Sequence, residues 1–289
     1  MRIMKSTNRR PYLAASAALL VVLLHGCGDT LTDIQVTPPL QGEPRSAKVV
    51  FLAGPDSHSA NTHEHRAGSE LLAAALRKRN PTIETVNVYG GWPADTSVFS
   101  GADAIVMYCD GGRSHLINDQ LDVFNELLNS GMGVAAIHYC VEVPRDSPAS
   151  SSMLRAIGAY FETWRSVNPI WDADFFTMPT HPVAAGITPF RLKDEWYFNL
   201  RFAKNGVTPI LSAVPPASTM ARWNGPHSGN DAVRTQVVEE KLQVTAWVYE
   251  RPGGGRGFGY TGGHFHANWD HPQARELVLN GIEWVAFNP

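Results

Sequence analysis

From residue 47 onward, short apolar runs alternate with amphipathic stretches in a repeating order. Residues 47–53 read Ala-Lys-Val-Val-Phe-Leu-Ala and end in Gly54-Pro55, the pattern of a strand buried on both faces of a parallel sheet. Residues 67–79 have helical spacing, with Leu71, Leu72 and Leu76 apolar and Arg77, Lys78 and Arg79 in the last turn, where cations suit the helix dipole. Residues 83–88 read as a second strand, closed by Gly90-Gly91-Trp92-Pro93, and residues 102–109 as a third, which runs into Asp110-Gly111-Gly112. Residues 117–128 read as a helix ended by Gly131, and residues 132–137 as a fourth buried strand leading straight into His138-Tyr139-Cys140. Buried strands alternating with helices over short connections predict an α/β fold: a three-layer, doubly wound, mostly parallel sheet of flavodoxin-like type.

The second half is less regular. Residues 164–176 are aromatic-rich and extended, and Asp194-Glu195-Trp196-Tyr197 sits between Phe190 and Phe198. Further strands are expected at 208–214, 219–223, 243–249 and 257–264, then a closing helix at 272–287 that buries Leu277, Ile282 and Val285. The run from Gly257 to Gly263 alternates glycine with larger residues before His264-Phe265-His266; glycines inside a strand mark close approach of a backbone or a ligand. If the chain stays extended there, His264 and His266 point to the same side, roughly 7 Å apart.

The first 26 residues belong to a different regime. Arg2, Lys5, Arg9 and Arg10 precede an apolar run at 12–24, which has the length of a signal-peptide core rather than of a bilayer span. Leu24-His25-Gly26-Cys27 resembles a bacterial lipobox, so Cys27 is the expected lipidation site and the chain is expected to be exported and lipid-anchored. Residues 27–46, with Pro38-Pro39, Gly42 and Pro44, read as a solvated tether, and residues 47–289 as one α/β domain. Of 24 Lys+Arg and 27 Asp+Glu, the first 26 residues hold four bases and no acid, which leaves an acidic remainder. That argues against a nucleic-acid partner and leaves the N-terminal lipid as the only expected membrane contact; a homodimer is left open.

In doubly wound sheets the ligand lies beyond the carboxyl ends of the strands, and His58, Asp110 and His138 each fall just past such an end. At the position where a hydrolase or amidotransferase would carry its nucleophile elbow, the chain has His138, with Cys140 two residues on. Cys140 therefore reads as a small buried residue; a Cys109–Cys140 disulfide is compatible with export but needs geometry to establish. Candidate metal ligands are His58, His63, His65, His138, Glu195, His264 and His266. No His-Glu-x-x-His helix or cysteine set supports a protease-type or structural zinc site. Several histidines with one carboxylate suit a catalytic divalent metal with open positions, and equally a metal-free acid–base pair. Glu195, amid aromatics, is the carboxylate best placed for a raised pKa. His115, His181, His227 and His271 read as ordinary loop or helix-start residues. Trp92, Trp164, Trp171, Trp196 and Trp269 serve either as core or as platforms for a sugar face.

Together these pieces resemble the ThuA-like (trehalose-utilization) family. The resemblance is carried by residues 50–54 with Ser57-His58 and His63-Glu64-His65, by Gly90-Gly91-Trp92-Pro93, residues 104–108, Ile137-His138-Tyr139 and residues 158–162. Asp194-Glu195-Trp196-Tyr197 and residues 257–264 complete the set, which covers 48–287. It implies a class I glutamine-amidotransferase-like fold without the amidotransferase cysteine, and an association with trehalose, related disaccharides and 3-oxo-glycosides. The expectation is an exported lipoprotein enzyme acting on a small-molecule sugar by proton abstraction with elimination, by isomerisation or by hydrolysis. His138, His264, Glu195 and His58 would be catalytic, His266 would assist, and Trp92, Asp110, Tyr139 and Trp196 would contact substrate. The rival is a non-catalytic glycan-binding lipoprotein on the same scaffold.

Overall fold

A computed structural model describes residues 46–287. The signal-like segment, Cys27 and the tether up to residue 45 lie outside the described residues. In chain order the elements begin with strand β1 (Ala47–Ala53), helix α1 (His65–Arg79), β2 (Ile83–Tyr89), β3 (Ala104–Tyr108), α2 (Leu121–Asn129), β4 (Gly133–Ile137) and α3 (Pro148–Ile157). They continue with β5 (Ala159–Tyr160), β6 (Ile170–Phe175), β7 (Phe190–Glu195), β8 (Arg201–Phe202), β9 (Val207–Ala213), α4 (Asp231–Val238), β10 (Gln243–Glu250), β11 (Arg256–Tyr260) and α5 (Pro272–Ala286).

Seven strands form the main sheet in the order β2-β1-β3-β4-β11-β10-β9. The first five run parallel, and β10 and β9 close the far side antiparallel. The parallel part reproduces the 2-1-3-4-5 order of flavodoxin-like folds, with β11 as fifth strand. Alternation along β1 divides the core into two layers: Val49 and Phe51 pack with Leu72 and Leu76 of α1 and Leu277 and Ile282 of α5, whereas Val50 and Leu52 pack with Phe124 of α2 and Met153 of α3. This is the expected three-layer sandwich.

The strand register explains where the site lies. Ala53, Tyr108, Ile137 and Tyr260 are successive partners in one row across the sheet. The chain therefore leaves β1, β3, β4 and β11 at one level, and the residues following them meet over a single edge. Between α3 and β9 the chain departs from the sheet to form two small ribbons, β5–β8 and β6–β7. The second ends on Glu195, which the ribbon carries back to that edge.

Several boundaries differ from the sequence reading for identifiable reasons. Helix α2 starts at Leu121 rather than 117, because the Ile117 N–H is taken by Nδ1 of His115 and the chain turns once more before the helix. Residues 219–223 are not a strand: after Pro215-Pro216, a short 3-10 turn spans Ala217–Met220, and the Thr219 hydroxyl donates to the Pro216 carbonyl. Helices α3 and α4 were not anticipated, although both carry ordinary signals. Ser147 caps α3, with Pro148 in its first turn and Gly158 left-handed past its end; Asn230 caps α4.

Helices α1 and α5 are joined by a buried ion cluster. Arg79, almost fully enclosed, donates from Nη1 to Glu276 at 3.0 Å and from Nη2 to Asn280 at 2.6 Å, and its Nη2 lies 3.1 Å from Glu283. Removing one member of a buried ionic set leaves the others uncompensated. Arg79→Ala is expected to lower stability by about 3–5 kcal/mol in denaturant unfolding; a loss under about 1 kcal/mol, the surface-pair range, would contradict this account.

Candidate functional site

Four side chains meet beyond the carboxyl edge of the sheet. Nε2 of His63 lies 2.9 Å from Nδ1 of His264 and 3.1 Å from Nε2 of His138. Oε2 of Glu195 lies 3.6 Å from Nε2 of His138 and 3.4 Å from Nδ1 of His264. All four atoms fall within 4.8 Å of one another.

Each arrives by a different route. His138 is the first residue after β4 and has φ 56°. This is the left-handed turn that presents a nucleophile in hydrolase elbows, here presenting an imidazole. His63 belongs to the loop between β1 and α1, where His58, Asn61 and His63 all have positive φ (66°, 67° and 49°). Non-glycine residues in that region store strain, which tends to collect at functional sites. The loop is pinned to the His264 segment by backbone bonds from the His63 N–H to the His264 carbonyl and from the His266 N–H to the Asn61 carbonyl. Glu195 ends β7, and its other oxygen, Oε1, accepts from Nδ2 of Asn168 at 3.1 Å.

Two further carboxylates hold the imidazoles in place. Asp110, just past β3, accepts from the Ser57 hydroxyl at 2.7 Å and lies 3.1 Å from Nδ1 of His63. Burial pushes the Asp110 carboxyl up, but its bonds to His63 and Ser57 bring it below its ordinary value. Asp194, fully buried, accepts from the N–H groups of Gly263, His264 and Glu195 and from Nδ2 of Asn268. Gly263 has φ 102°, a conformation suited to glycine, and this lets the backbone turn both N–H groups onto Asp194.

Hydrogen bonding also fixes which nitrogen of two rings carries the proton. Nδ1 of His138 faces the Thr261 carbonyl at 2.8 Å, and Nδ1 of His63 faces Asp110; both partners are acceptors, so both nitrogens are N–H. The Nε2 lone pairs of both rings therefore point into the cluster. Burial holds His138 well below its ordinary value, and burial with His63 and His58 holds His264 down to about 4. Burial pushes Glu195 up to about 8.

Above the cluster lies a cleft of about 240 Å³. His264, Glu195 and the enclosed His63 and Tyr197 form one part of its lining, and His58, Tyr139, Asn168, Arg222 and His227 the other. His58 is exposed, stacks on His63 with ring centres 3.8 Å apart, and has Nδ1 2.8 Å from the Ser57 hydroxyl. That hydroxyl gives its proton to Asp110, so Nδ1 of His58 donates and its Nε2 is left as a free base. Burial and His63 keep His58 below its ordinary pKa. Burial, with nearby carboxylates, raises Tyr139 to about 12, so it stays a neutral hydroxyl donor. Nη1 of Arg222 is enclosed without a protein partner.

Several sequence expectations are corrected. His266 does not share a side with His264, because β11 stops at Tyr260 and His266 begins a 3-10 turn; its Nδ1 lies 3.7 Å from Glu64 instead. His65 is buried behind the cluster, with Nδ1 on the Pro55 carbonyl at 2.7 Å. Trp92 packs on Phe99 and Phe124, and Trp196 is fully enclosed against Phe175 and Tyr260, so neither lines the cleft. Asp110 supports His63 and Ser57 and is not among the lining residues. His138 is enclosed and lies beneath the cleft. Cys140 is also enclosed, its thiol pushed well up by burial, and both it and Cys109 are free. His227, read as an ordinary loop residue, lines the cleft; Asn168 and Arg222 do so as well, with no motif to announce them.

His227 is drawn toward the charged form. Its bonds to both oxygens of buried Glu142, at 3.0 and 3.1 Å, raise it above 6.5. A raised histidine stabilises the fold fully below its unfolded-state pKa and loses that contribution as pH rises through the folded-state value. Glu142→Gln should thus cost more stability at pH 6 than at pH 9 in paired denaturation curves, and an equal loss at both would refute the pairing.

The comparisons agree with this architecture. Curated proteins give no match. Among solved structures, a ThuA-like protein from Bacteroides uniformis aligns with TM-score 0.55 at 13% identity, over 86% of this chain and 95% of that one. A ThuA-like protein from Parabacteroides merdae aligns with TM-score 0.52 at 15% identity, over 84% of this chain and 91% of that one. At such identities these likenesses speak for the fold alone. The family model for trehalose utilisation matches residues 53–285, which takes in every side chain of the cluster and the cleft. The chain with this histidine–glutamate edge belongs to the ThuA family, and its function is accordingly a carbohydrate-related one.

Proposed function

We propose that the chain is a carbohydrate-active enzyme that removes a proton next to the carbonyl of an oxidised sugar, a 3-oxo-glycoside, in the cleft above the histidine–glutamate cluster. The observation that carries this reading is the Asp110–Ser57–His58 chain, which leaves a neutral imidazole with a free Nε2 in a cleft that the Tyr139 hydroxyl also lines. A histidine held below its ordinary pKa is a competent base near neutrality.

Nε2 of His58 takes the proton from the carbon beside the carbonyl. The C–H electron pair becomes the new C=C bond, and the carbonyl π pair moves onto oxygen, where the neutral hydroxyl of Tyr139 in the cleft lining can donate a hydrogen bond to it. When the enolate collapses, the glycosidic C–O bond on the next carbon breaks. The departing oxygen takes the proton back from the His58 imidazolium, which returns the base to its starting state. Tyr139, Asn168 and His227 offer hydrogen bonds to ring hydroxyls. At about 240 Å³ the cleft is smaller than pockets that enclose drug-sized ligands, which start at roughly 300 Å³, so it suits a single sugar ring with the second part of a glycoside outside.

Export and attachment through Cys27 are part of the same proposal and would put the enzyme where glycosides arrive from outside the cell. The non-catalytic reading looked to tryptophan platforms; Trp92, Trp171, Trp196 and Trp269 are core or partly buried packing residues, and Trp164, which is exposed, does not line the cleft.

His58→Gln is expected to lower kcat on a 3-oxo-disaccharide by about 10²–10⁴-fold, the usual contribution of a positioned base. Exchange of the adjacent carbon-bound hydrogen with deuterated solvent, followed by NMR, should fall in parallel. Unchanged exchange in this variant would rule out His58 as the base.

A further inference from the structure

We infer that Nε2 of His63, Nε2 of His138, Nδ1 of His264 and Oε2 of Glu195 are the protein ligands of one divalent transition-metal ion. A tetrahedral ion bound at about 2.0–2.1 Å separates its ligand atoms by about 3.3–3.4 Å. Four of the six separations here are 2.9, 3.1, 3.4 and 3.6 Å, which straddle that value, and the other two stay within 4.8 Å.

The tautomers supply the stronger reason. His63 and His138 both spend their ring proton on an outward acceptor, so their inward nitrogens, 3.1 Å apart, are two lone pairs with no hydrogen between them. A second proton on His63 would not resolve the arrangement, because one N–H cannot point at both His138 and His264. A cation at the centre satisfies these lone pairs together with Nδ1 of His264 and Oε2 of Glu195. The outer bonds are those that metal-bound histidines make, one to a carboxylate and one to a backbone carbonyl.

Burial is graded as a working site requires. His63 and His138 are closed off, whereas His264 and Glu195 border the cleft, so an added ligand can reach the ion from one side. Imidazole and carboxylate donors suit zinc and neighbouring first-row ions.

Two other groupings fail the same requirements. Cys109, His115 and Cys140 lie close together, but Nδ1 of His115 accepts from the Ile117 N–H, so its Nε2 bears the proton that meets the Cys140 carbonyl. His58, His63 and Asp110 form the supporting layer, since Asp110 is already bonded to Nδ1 of His63.

The binding of the ion stands apart from the sugar reading; only its role beneath the cleft rests on that reading. The test takes the purified chain, stripped with a chelator and titrated with Zn²⁺ by calorimetry and with Co²⁺ by visible absorption. The expected results are one ion per chain, a raised Tm, and Co²⁺ bands typical of four- or five-coordinate nitrogen and oxygen ligation. Asp110→Asn, which removes only a supporting bond, should weaken Zn²⁺ about 10–100-fold. Glu195→Gln and His138→Gln should weaken it further, and His266→Ala should leave it unchanged. Absence of Co²⁺ bands in the unmutated protein would overturn the site without depending on any variant's folding. So would Zn²⁺ binding that survives His138→Gln or is lost in His266→Ala. A protein that binds one ion as described but neither binds nor turns over 3-oxo-glycosides would retain the metal site and lose the sugar reading.

Discussion

Three imidazoles and a carboxylate are forced into one another's company at the end of a parallel sheet, and much of the local structure exists to tolerate this. Unpaired polar atoms are costly to enclose, and lone pairs facing lone pairs are worse. The chain meets that cost with a surrounding layer of bonds. Asp110 and the Thr261 carbonyl take the outward protons of His63 and His138, Asp194 gathers the N–H groups around His264, and Asn168 holds the free oxygen of Glu195. Positive φ at His58, His63 and His138 adds backbone strain to the same few residues.

The turn after β4 carries no nucleophile in this fold. The sharp turn after β4 still lifts one side chain above the sheet, but the residue there is His138, and the nearby thiols, Cys140 and Cys109, are enclosed. With His63 packed over it, His138 has no access to a substrate. The turn thus serves to aim a lone pair into a cluster rather than to present a reactive atom to solvent, and the proposed base, His58, stands exposed against the His63 ring.

The parallel half of the fold was legible because its strands are buried on both faces, which leaves continuous apolar runs punctuated by glycine and proline. The same rule located His58, Asp110 and His138 at one edge. What could not be read was contact across distance: His63 and His264 are 201 residues apart, and Asp194 reaches the Gly263 N–H across 69. Trp196 and Glu195 illustrate the difficulty at its smallest scale. They are adjacent, yet one is core and the other faces the cleft, because β7 ends between them and nothing in the local pattern marks that exit. Asn168, between β5 and β6, and Arg222 and His227, between β9 and β10, sit on irregular segments without periodicity, and they converge on the cleft through bonds from the Asn168 N–H to the His227 carbonyl and from Nη2 of Arg222 to Oδ1 of Asn168.

Carboxylates of similar chemistry do three different jobs here, separated by environment rather than by sequence. Asp194 is enclosed and receives four N–H groups, which suits a fixed anchor. Asp110 is partly open and accepts from the Ser57 hydroxyl and Nδ1 of His63, so it orders two imidazoles at once, one facing the cluster and one facing the cleft. Glu195 faces imidazole lone pairs and takes its hydrogen bonds from Nδ2 of Asn168 and the Tyr197 hydroxyl. Burial pushes Glu195 toward holding a proton, whereas a cation among those lone pairs would favour the bare carboxylate. The cluster should accordingly bind a divalent ion with release of a proton, because two positive charges and the Glu195 proton compete for the same small volume. Calorimetry of Zn²⁺ binding in two buffers of different ionisation enthalpy would measure that proton, and a stoichiometry of zero would mean that Glu195 is already ionised before the ion arrives.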